Sequence, residues 1–218
     1  MSVDWNAHLE QAQTRYADGA ARLPDEPDAR QRQLTRLGNA AGAAGLSLLM
    51  LGRADDAGEW LDRAARAYRE SWADAPPGSW GRPIGALKSH VLADDWERAA
   101  EDARWALDAG AATAESPIGR YAAALACAVV GEWQLVREHA AAIRARDDFP
   151  ADVGDALAAI AAEDRLGYSA AVEAVLASFE TREAYLEGTP VADTVLVLQA
   201  LADRRGMAAE LESALLPG

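Results

Sequence analysis

One local pattern returns four times along this 218-residue chain, and it restricts the fold more than any other feature. Each copy has a turn residue and a small apolar residue five positions later. In three copies an aromatic residue also follows the turn by one or two positions. The turn positions are Gly52, Asp94, Gly131 and Gly167, which are 42, 37 and 36 residues apart. Periods of this length are typical of stacked helix-turn-helix units.

Two further sets of residues, each at a fixed distance from the turns, agree with this repeat. The residues twelve positions after the turns are all apolar, namely Ala64, Ala106, Ile143 and Phe179. Fifteen positions before the second and third turns stand Ser79 and Ser116, which we predict to be helix N-caps. Pro117 follows Ser116 at a position where proline favours the start of a helix.

The flanking segments also predict helices. The motif LPDEPD separates a helix over residues 3–21 from one over 28–51, because its prolines end one helix and start the next. A long helix is expected to end at Gly188, and another to start from Thr189 as N-cap and stop at Gly206, before a short tail. The chain is rich in strong helix formers and its β-branched runs are short, so we predict an all-α fold.

The repeated segment resembles the tetratricopeptide repeat family. The first repeat has the small residues and turn glycine of that family at Gly45, Gly52, Ala57 and Ala64, although the periods exceed the usual 34 residues. The resemblance implies one all-helical domain over residues 1–218. It would comprise an N-terminal helical segment (1–37), a right-handed stack of about four repeats (38–187) and a C-terminal capping helix with a tail (188–218).

In repeats of this kind the first helices line an inner surface, here called the first-helix face. Its predicted members are mostly apolar: Leu46, Leu49, Met50, Ile84, Lys88, Val91, Leu92, Tyr121, Leu125, Val129, Leu157, Ala161, Asp164 and Arg165. A long exposed apolar strip favours association. We therefore expect it to be covered by the N-terminal helix or residues 191–205, by a second copy in a homodimer, or by an amphipathic helix of a partner.

The longest linker in the repeat region, residues 73–85, is a candidate binding element. Insertions project from one face of a repeat stack, and tryptophan and arginine dominate interface energetics. The candidate partner-binding residues are Trp72, Trp80 and Arg82 at this linker, with Lys88 and Tyr121 on the first-helix face. The alternative is that the tryptophans only pack beneath a proline-rich loop.

The charge balance restricts the class of partner. The chain has 35 acidic and 21 basic residues, a formal charge of −14. This charge disfavours nonspecific nucleic-acid binding and anionic membranes, and favours a basic protein partner. Alternatively, it only keeps the chain dissolved, or reflects a salty cytoplasm. A single cysteine, and an N-terminus without the features of a signal peptide, predict a cytoplasmic protein.

The sequence contains no motif that specifies a reaction. No histidine has a metal-ligand spacing, and no phosphate loop or nucleophile elbow is present, so we expect no metal, cofactor or catalytic residue. One set requires comment: His90, Cys127 and Glu163 stand four residues before the last three turns. Packed helices are about 8–10 Å apart, so a buried, inert thiol is favoured over an activated thiolate.

The C-terminal segment VADTVLVLQALADRRGMAAELESALLP, residues 191–217, resembles the end of bacterial immunity proteins of the immunity protein 49 family. The matching positions are Leu198, Leu201, Arg205, Gly206, Leu216 and Pro217. This resemblance implies a protein that neutralises a toxin by binding it, and the acidic charge would suit a basic toxin. The alternatives are a general adaptor, a homodimeric scaffold and, less favoured, an enzyme with a pocket formed by Cys127, His90 and Glu163.

Overall fold

The computed structural model of the chain describes residues 3–218. This range contains ten α-helices, short 3-10 turns at Ala111–Thr113 and Leu186–Gly188, and no β-strand, which confirms the all-α class. The α-helices are α1 (Trp5–Ala20), α2 (Pro27–Met50), α3 (Ala54–Trp72), α4 (Gly81–Leu92), α5 (Trp96–Asp108), α6 (Pro117–Val130), α7 (Trp133–Arg144), α8 (Ala151–Ala162), α9 (Arg165–Glu180) and α10 (Asp193–Asp203).

Consecutive helices are neighbours in space. Each helix from α1 to α9 packs against the next in the chain, and the alternate helices α2, α4, α6 and α8 contact one another in that order. Short connections between packed helices make consecutive helices run antiparallel. The first-helix face is therefore formed by α2, α4, α6 and α8. Two of its predicted members, Asp164 and Arg165, lie instead at the start of α9, because the turn comes earlier than predicted.

Three of the four predicted turns are confirmed, and the fourth is wrong. Gly52, Asp94 and Gly131 have positive φ angles of 70°, 56° and 83°. The last turn is at Glu163, with φ of 59°, whereas Gly167 lies within the first turn of α9. Glycine adopts a positive φ readily, whereas glutamate rarely does. The sequence therefore pointed to Gly167 rather than to Glu163 as the turn residue.

The corrected turn improves the columns of buried residues. Five positions after the turns stand Ala57, Ala99, Val136 and Tyr168, and all four are fully buried. Twelve positions after the turns stand Ala64, Ala106, Ile143 and Val175, of which none is more than 1% exposed. Tyr168 and Val175 thus replace Val172 and Phe179 as the matching residues of the fourth unit.

The predicted helix caps have mixed outcomes. Ser116 is confirmed, because its Oγ accepts the amide hydrogen of Gly119 at 3.2 Å. Ser79 is wrong, because its Oγ donates to the Pro76 carbonyl at 2.6 Å and α4 starts only at Gly81. A local bond within the proline-rich linker therefore uses the side chain that would have capped the helix.

The segment between α9 and α10 also differs from its prediction. Helix α9 ends at Glu180 rather than continuing to Gly188, and α10 starts at Asp193 rather than next to Thr189. The Tyr185 hydroxyl donates to the Phe179 carbonyl at 2.7 Å, a bond that replaces helical continuation at this point. Residues 181–192, here called the covering segment, consequently cross the structure in an irregular path.

Helix α10 covers part of the first-helix face. It packs against α4, α8 and α9, and Val195, Leu198 and Leu201 are buried in the same apolar cluster as Leu125 and Leu157. The chain thus closes part of this face with its own C-terminal helix. The first-helix face is covered incompletely over α2 and α4. Four of its apolar residues stay partly exposed there: Leu46, Leu49, Met50 and Leu92.

Close packing at the N-terminal end depends on two glycines. The ring of Tyr68 lies between Gly38 of α2 and Gly85 of α4. A Cβ at Gly38 would be 2.8 Å from one edge of the ring, and a Cβ at Gly85 would be 2.6 Å from the other. The absence of both side chains therefore lets α3 approach α2 and α4, and the Tyr68 hydroxyl donates to Asn39 Oδ1 at 2.8 Å.

We expect Gly85→Ala to lower the free energy of unfolding by about 1–3 kcal/mol, because the new methyl group overpacks the Tyr68 ring. This loss should exceed the gain of about 1 kcal/mol that alanine gives within a helix. Gly58→Ala in α3 is the matched control, since its Cβ would meet no atom within 4 Å. Urea denaturation should show the control to be stabilised, and equal behaviour of the two variants would contradict the packing argument.

Candidate functional site

A cavity of about 470 Å³ opens between α2, α4 and the covering segment. Its walls are mainly apolar, with Leu46 from α2, Ile84 and Leu92 from α4, and Tyr185 and Leu186 from the covering segment. It lies where α10 leaves the first-helix face uncovered. A cavity of this size and lining is typical of small-molecule sites, which span roughly 300–1,000 Å³.

A few polar groups converge on the apolar walls. Asn39 and Tyr68 line the side that α2 and α3 form, and their hydrogen bond fixes the orientation of the Asn39 amide. Burial, followed by the charges of Asp193 and Glu187, raises the pKa of Tyr68 well above its ordinary value. The phenol therefore stays protonated over the physiological range and donates its hydrogen bond permanently.

The charged groups at the cavity are mostly basic. Arg82, Lys88 and Arg182 line it, and Asp193 is the one acidic residue among the described residues that do so. The Lys88 ammonium donates to Asp193 Oδ2 at 2.5 Å and to Thr194 Oγ1 at 3.1 Å, which joins α4 to the start of α10. Although desolvation opposes its charge, the Asp193 carboxylate leaves the pKa of Lys88 raised above its ordinary value.

Arg82 is buried without an acidic partner among the described side chains. Its residue is 9% exposed, its Nε donates to Ser71 Oγ at 3.0 Å, and its Nη2 donates to the Gln31 side-chain oxygen. Both acceptors are neutral, and burial lowers the pKa of Arg82 from its ordinary value. A guanidinium in this position is still cationic at neutral pH, because its unperturbed pKa is far above 7.

The structure brings together three of the five predicted binding residues. Trp80, Arg82 and Lys88 line the cavity. Trp72 lies behind it, with its ring 5.6 Å from that of Trp80, and Tyr121 is buried against Phe149 at a ring distance of 5.4 Å.

The sequence analysis missed Asn39, Arg182 and the covering segment. No local pattern marks them, because only the folded chain brings residues 39 and 182 to the same cavity.

The set of Cys127, His90 and Glu163 does not converge through hydrogen bonds. Cys127 is fully buried, and burial followed by the charge of Glu132 raises the pKa of its thiol to about 11. His90 Nδ1 is 2.7 Å from Asp102 Oδ2, whereas the exposed Glu163 pairs with Arg205. Each polar member of the set thus interacts with another group, and the thiol lacks the activation that a nucleophile requires.

His90 belongs to a buried charged network between α3, α4 and α5. The fully buried Asp102 carboxylate interacts with both His90 and Arg69. On the other side of the imidazole ring, Nε2 is 3.5 Å from Asp62, which also pairs with Arg98. Asp102 therefore holds three helices together, and this contact explains why a carboxylate is tolerated in the core.

A second candidate surface, here called the turn edge, comprises residues 52–56, 94–97, 131–133 and 163–166. Arg204 lies over the Trp96 ring at 4.2 Å, and Arg205 lies over the Trp133 ring at 4.1 Å and pairs with Glu163. These contacts place the last three turns side by side at the end of α10. Leu51 and Ala93, next to the first two turns, share one apolar cluster, which extends the edge to the first turn.

Most of the charged side chains on the turn edge are exposed carboxylates. Its exposed acidic residues are Asp55, Asp56, Asp94, Glu97, Glu132, Glu163 and Asp164. Leu166 at its end is 86% exposed, the most exposed large apolar side chain in the described range. An apolar side chain surrounded by carboxylates is a plausible contact for a basic protein surface.

Neither a metal cluster nor a membrane span is found in the part of the chain that the structure describes. No group of three or more His, Cys, Asp or Glu side chains within residues 3–218 is arranged to hold a metal ion. In the same range no helix combines the length and the apolar character that crossing a bilayer requires.

We expect Asp102→Ala to destabilise the fold by about 1–3 kcal/mol, because it leaves the buried His90 ring without its hydrogen-bond partner, whereas Arg69 is partly exposed to solvent. Glu101→Ala is the control on the same helix, since Glu101 is exposed. Its effect should stay within about 0.5 kcal/mol. Thermal and urea unfolding measure both changes, and a similar stability for the two variants would show that the network is dispensable.

We expect the native Cys127 thiol to resist alkylation by iodoacetamide at pH 8. Its raised pKa leaves very little thiolate at this pH, and its side chain is inaccessible. The same reagent should label the urea-unfolded chain completely. Mass spectrometry of both samples measures the difference, and rapid labelling of the folded protein would restore Cys127 as a candidate nucleophile.

Comparison with known proteins adds no relative. No protein family model, no curated protein and no solved structure matches the chain.

Proposed function

We propose that the chain is a noncatalytic protein-binding module built from tetratricopeptide-like repeats. Four turns followed by two columns of buried small or apolar residues support the repeat assignment. The sequential packing of α2 to α9 is compatible with a stack of four helix pairs. In this proposal the repeats form a rigid frame, and the binding surface is at their turns.

The observation that carries this proposal is the turn edge. Four turns from different repeats present seven exposed carboxylates, and Leu166 adds an apolar contact. Five arginines also lie at or near this edge: Arg53, Arg98, Arg165, Arg204 and Arg205. Arg53 pairs with Asp56, Arg98 with Asp62 and Arg205 with Glu163. The net charge of the turn edge is still negative, and this charge favours a basic partner through long-range attraction.

A toxin-neutralising immunity protein is the specific form of this function that we favour. The C-terminal resemblance at residues 191–217 supplies the reason for this preference. Leu198 and Leu201 pack in the core, while Arg205 joins Trp133 and Glu163 at the turn edge. Inhibition would then result from covering a basic surface of the toxin. A general adaptor or a homodimeric scaffold is the alternative.

We expect a charge-neutralised variant to lose its partner. Asp55→Asn, Glu97→Gln and Glu132→Gln together remove three negative charges from the turn edge. Tagged protein is used for affinity capture from its own lysate, with quantitative mass spectrometry at low and high salt. Recovery of a basic protein should fall about tenfold in the variant and likewise fall with added salt.

The control variant removes the same charge from exposed positions elsewhere. Glu10→Gln, Glu173→Gln and Glu210→Gln lie outside the turn edge and are exposed. This variant should retain the partner. Equal losses in the two variants would mean that only total charge matters, and recovery of nothing but the chain itself would favour the homodimeric scaffold. The captured protein, once purified, is tested for toxicity and for neutralisation by stoichiometric addition of the chain.

A further inference from the structure

We propose that the cavity between α2, α4 and the covering segment is a binding site for a small amphipathic carboxylate. The apolar body of this ligand lies among Leu46, Ile84 and Leu92, and its carboxylate lies at Arg82 and the first turn of α4. This site is separate from the acidic turn edge, so it does not depend on the protein-binding role.

The sign of the charge at the cavity is the first argument. Acidic residues outnumber basic ones by 35 to 21 in the whole chain, whereas three basic residues and one acidic residue line the cavity. The acidic one, Asp193, is already bonded to Lys88. Glu187 in the covering segment pairs with Arg15 of α1 at 3.0 Å. The charges of Arg82 and Arg182 remain without a carboxylate among the described residues.

The hydrogen-bonding capacity of Arg82 is the second argument. Its Nε and Nη2 atoms bind neutral oxygens, as described above. Its Nη1 makes no hydrogen bond to any group within residues 3–218, yet it is not among the fully enclosed polar atoms. This nitrogen therefore keeps a free donor, in a residue that lines the cavity. The Arg82 side chain is nine-tenths buried, so it has already lost much of its hydration. An anionic ligand that accepts a hydrogen bond from it therefore gains more binding free energy than at an exposed arginine.

The start of α4 adds to the attraction for an anion. Residues 78–82 line the cavity, and the N-cap residue Trp80 supplies no side-chain hydrogen bond to the helix. The first turn of α4 contains no acidic residue. The positive end of the helix dipole is thus not balanced by a carboxylate in its own first turn. Pro83 has no amide hydrogen and the Arg82 amide donates to the Ser79 carbonyl, so the Gly81 amide is the first-turn group left to favour an anion.

The apolar walls restrict the ligand to one with a hydrocarbon or similar body. Ile84 and Phe179 are buried at the cavity, and Leu46 and Leu92 are partly exposed at its wall. Inorganic anions would leave these walls in contact with water. Because Lys88 is already neutralised by Asp193, the cations left for a ligand are Arg82 and Arg182, the latter over the Phe179 ring. A monocarboxylate satisfies both conditions.

Octanoate is the test ligand, with 1-octanol and acetate as probes of its two parts. Trp80 lines the cavity, so tryptophan fluorescence and isothermal titration calorimetry both report binding. We expect octanoate to bind about tenfold more tightly than 1-octanol, as a charge-assisted hydrogen bond contributes at this level, and acetate to bind too weakly to measure. Equal affinity for octanoate and 1-octanol would overturn the anion site, and the absence of octanoate binding would overturn the whole proposal.

Two glycine variants locate the binding site. A Cβ at Gly42 in α2 or at Gly58 in α3 would meet no atom within 4 Å, but only Gly42 lines the cavity. Both Gly42→Leu and Gly58→Leu should fold, since leucine favours the helix over glycine. Gly42→Leu fills the cavity and should abolish octanoate binding, whereas Gly58→Leu should retain it. Retained binding in Gly42→Leu would place the ligand elsewhere.

Two arginine variants test the carboxylate contact. Arg82→Gln and Arg182→Gln should each weaken octanoate binding and leave 1-octanol binding unchanged. Arg104→Gln on the exposed side of α5 is the control and should behave as the original chain. If Arg82→Gln fails to fold, Arg182→Gln and Gly42→Leu still decide the question. Full octanoate affinity in Arg182→Gln and in folded Arg82→Gln would overturn the assigned contact.

Discussion

The packing of α10 against the first-helix face is the contact on which the other features of this structure depend. Val195, Leu198 and Leu201 enter the main apolar core, and full burial of such side chains contributes about 1.5–3 kcal/mol each. This helix returns the chain to α4 and α8 after α9, so the covering segment must cross the molecule. The cavity exists because α10 and the covering segment close this face only in part.

The two ends of α10 connect two different surfaces. At its start, Asp193 bonds Lys88 and fixes one wall of the cavity. Just beyond its end, Arg204 and Arg205 lie over Trp96 and Trp133 and hold the turns together. The turn edge is acidic and the cavity is basic, so one chain offers surfaces of opposite charge. Opposite charges select different ligands, and the proposed protein-binding role and the proposed small-carboxylate site are therefore compatible.

Features with a local cause could be predicted from the sequence. Ser116 and Pro117 start α6 as expected, because a cap and a proline act on their own helix turn. The turn at Glu163 could not be predicted, since no local preference favours glutamate at positive φ. The end of α9 could not be predicted either, because it depends on a hydrogen bond from the Tyr185 hydroxyl to the Phe179 carbonyl. Of the candidate binding residues, Trp80, Arg82 and Lys88 were found through the linker and the helix face.

The sequence by itself determined the helical class, three of the four turns, the Ser116 cap and the acidic charge. These properties depend on residues within one or two helix turns of each other, or on composition alone. Only the tertiary structure decided that Cys127 is enclosed, that His90 serves a buried network and that Arg82 and Arg182 face one cavity. Such outcomes depend on contacts between residues as much as a hundred positions apart, and no short-range preference specifies which distant side chains meet.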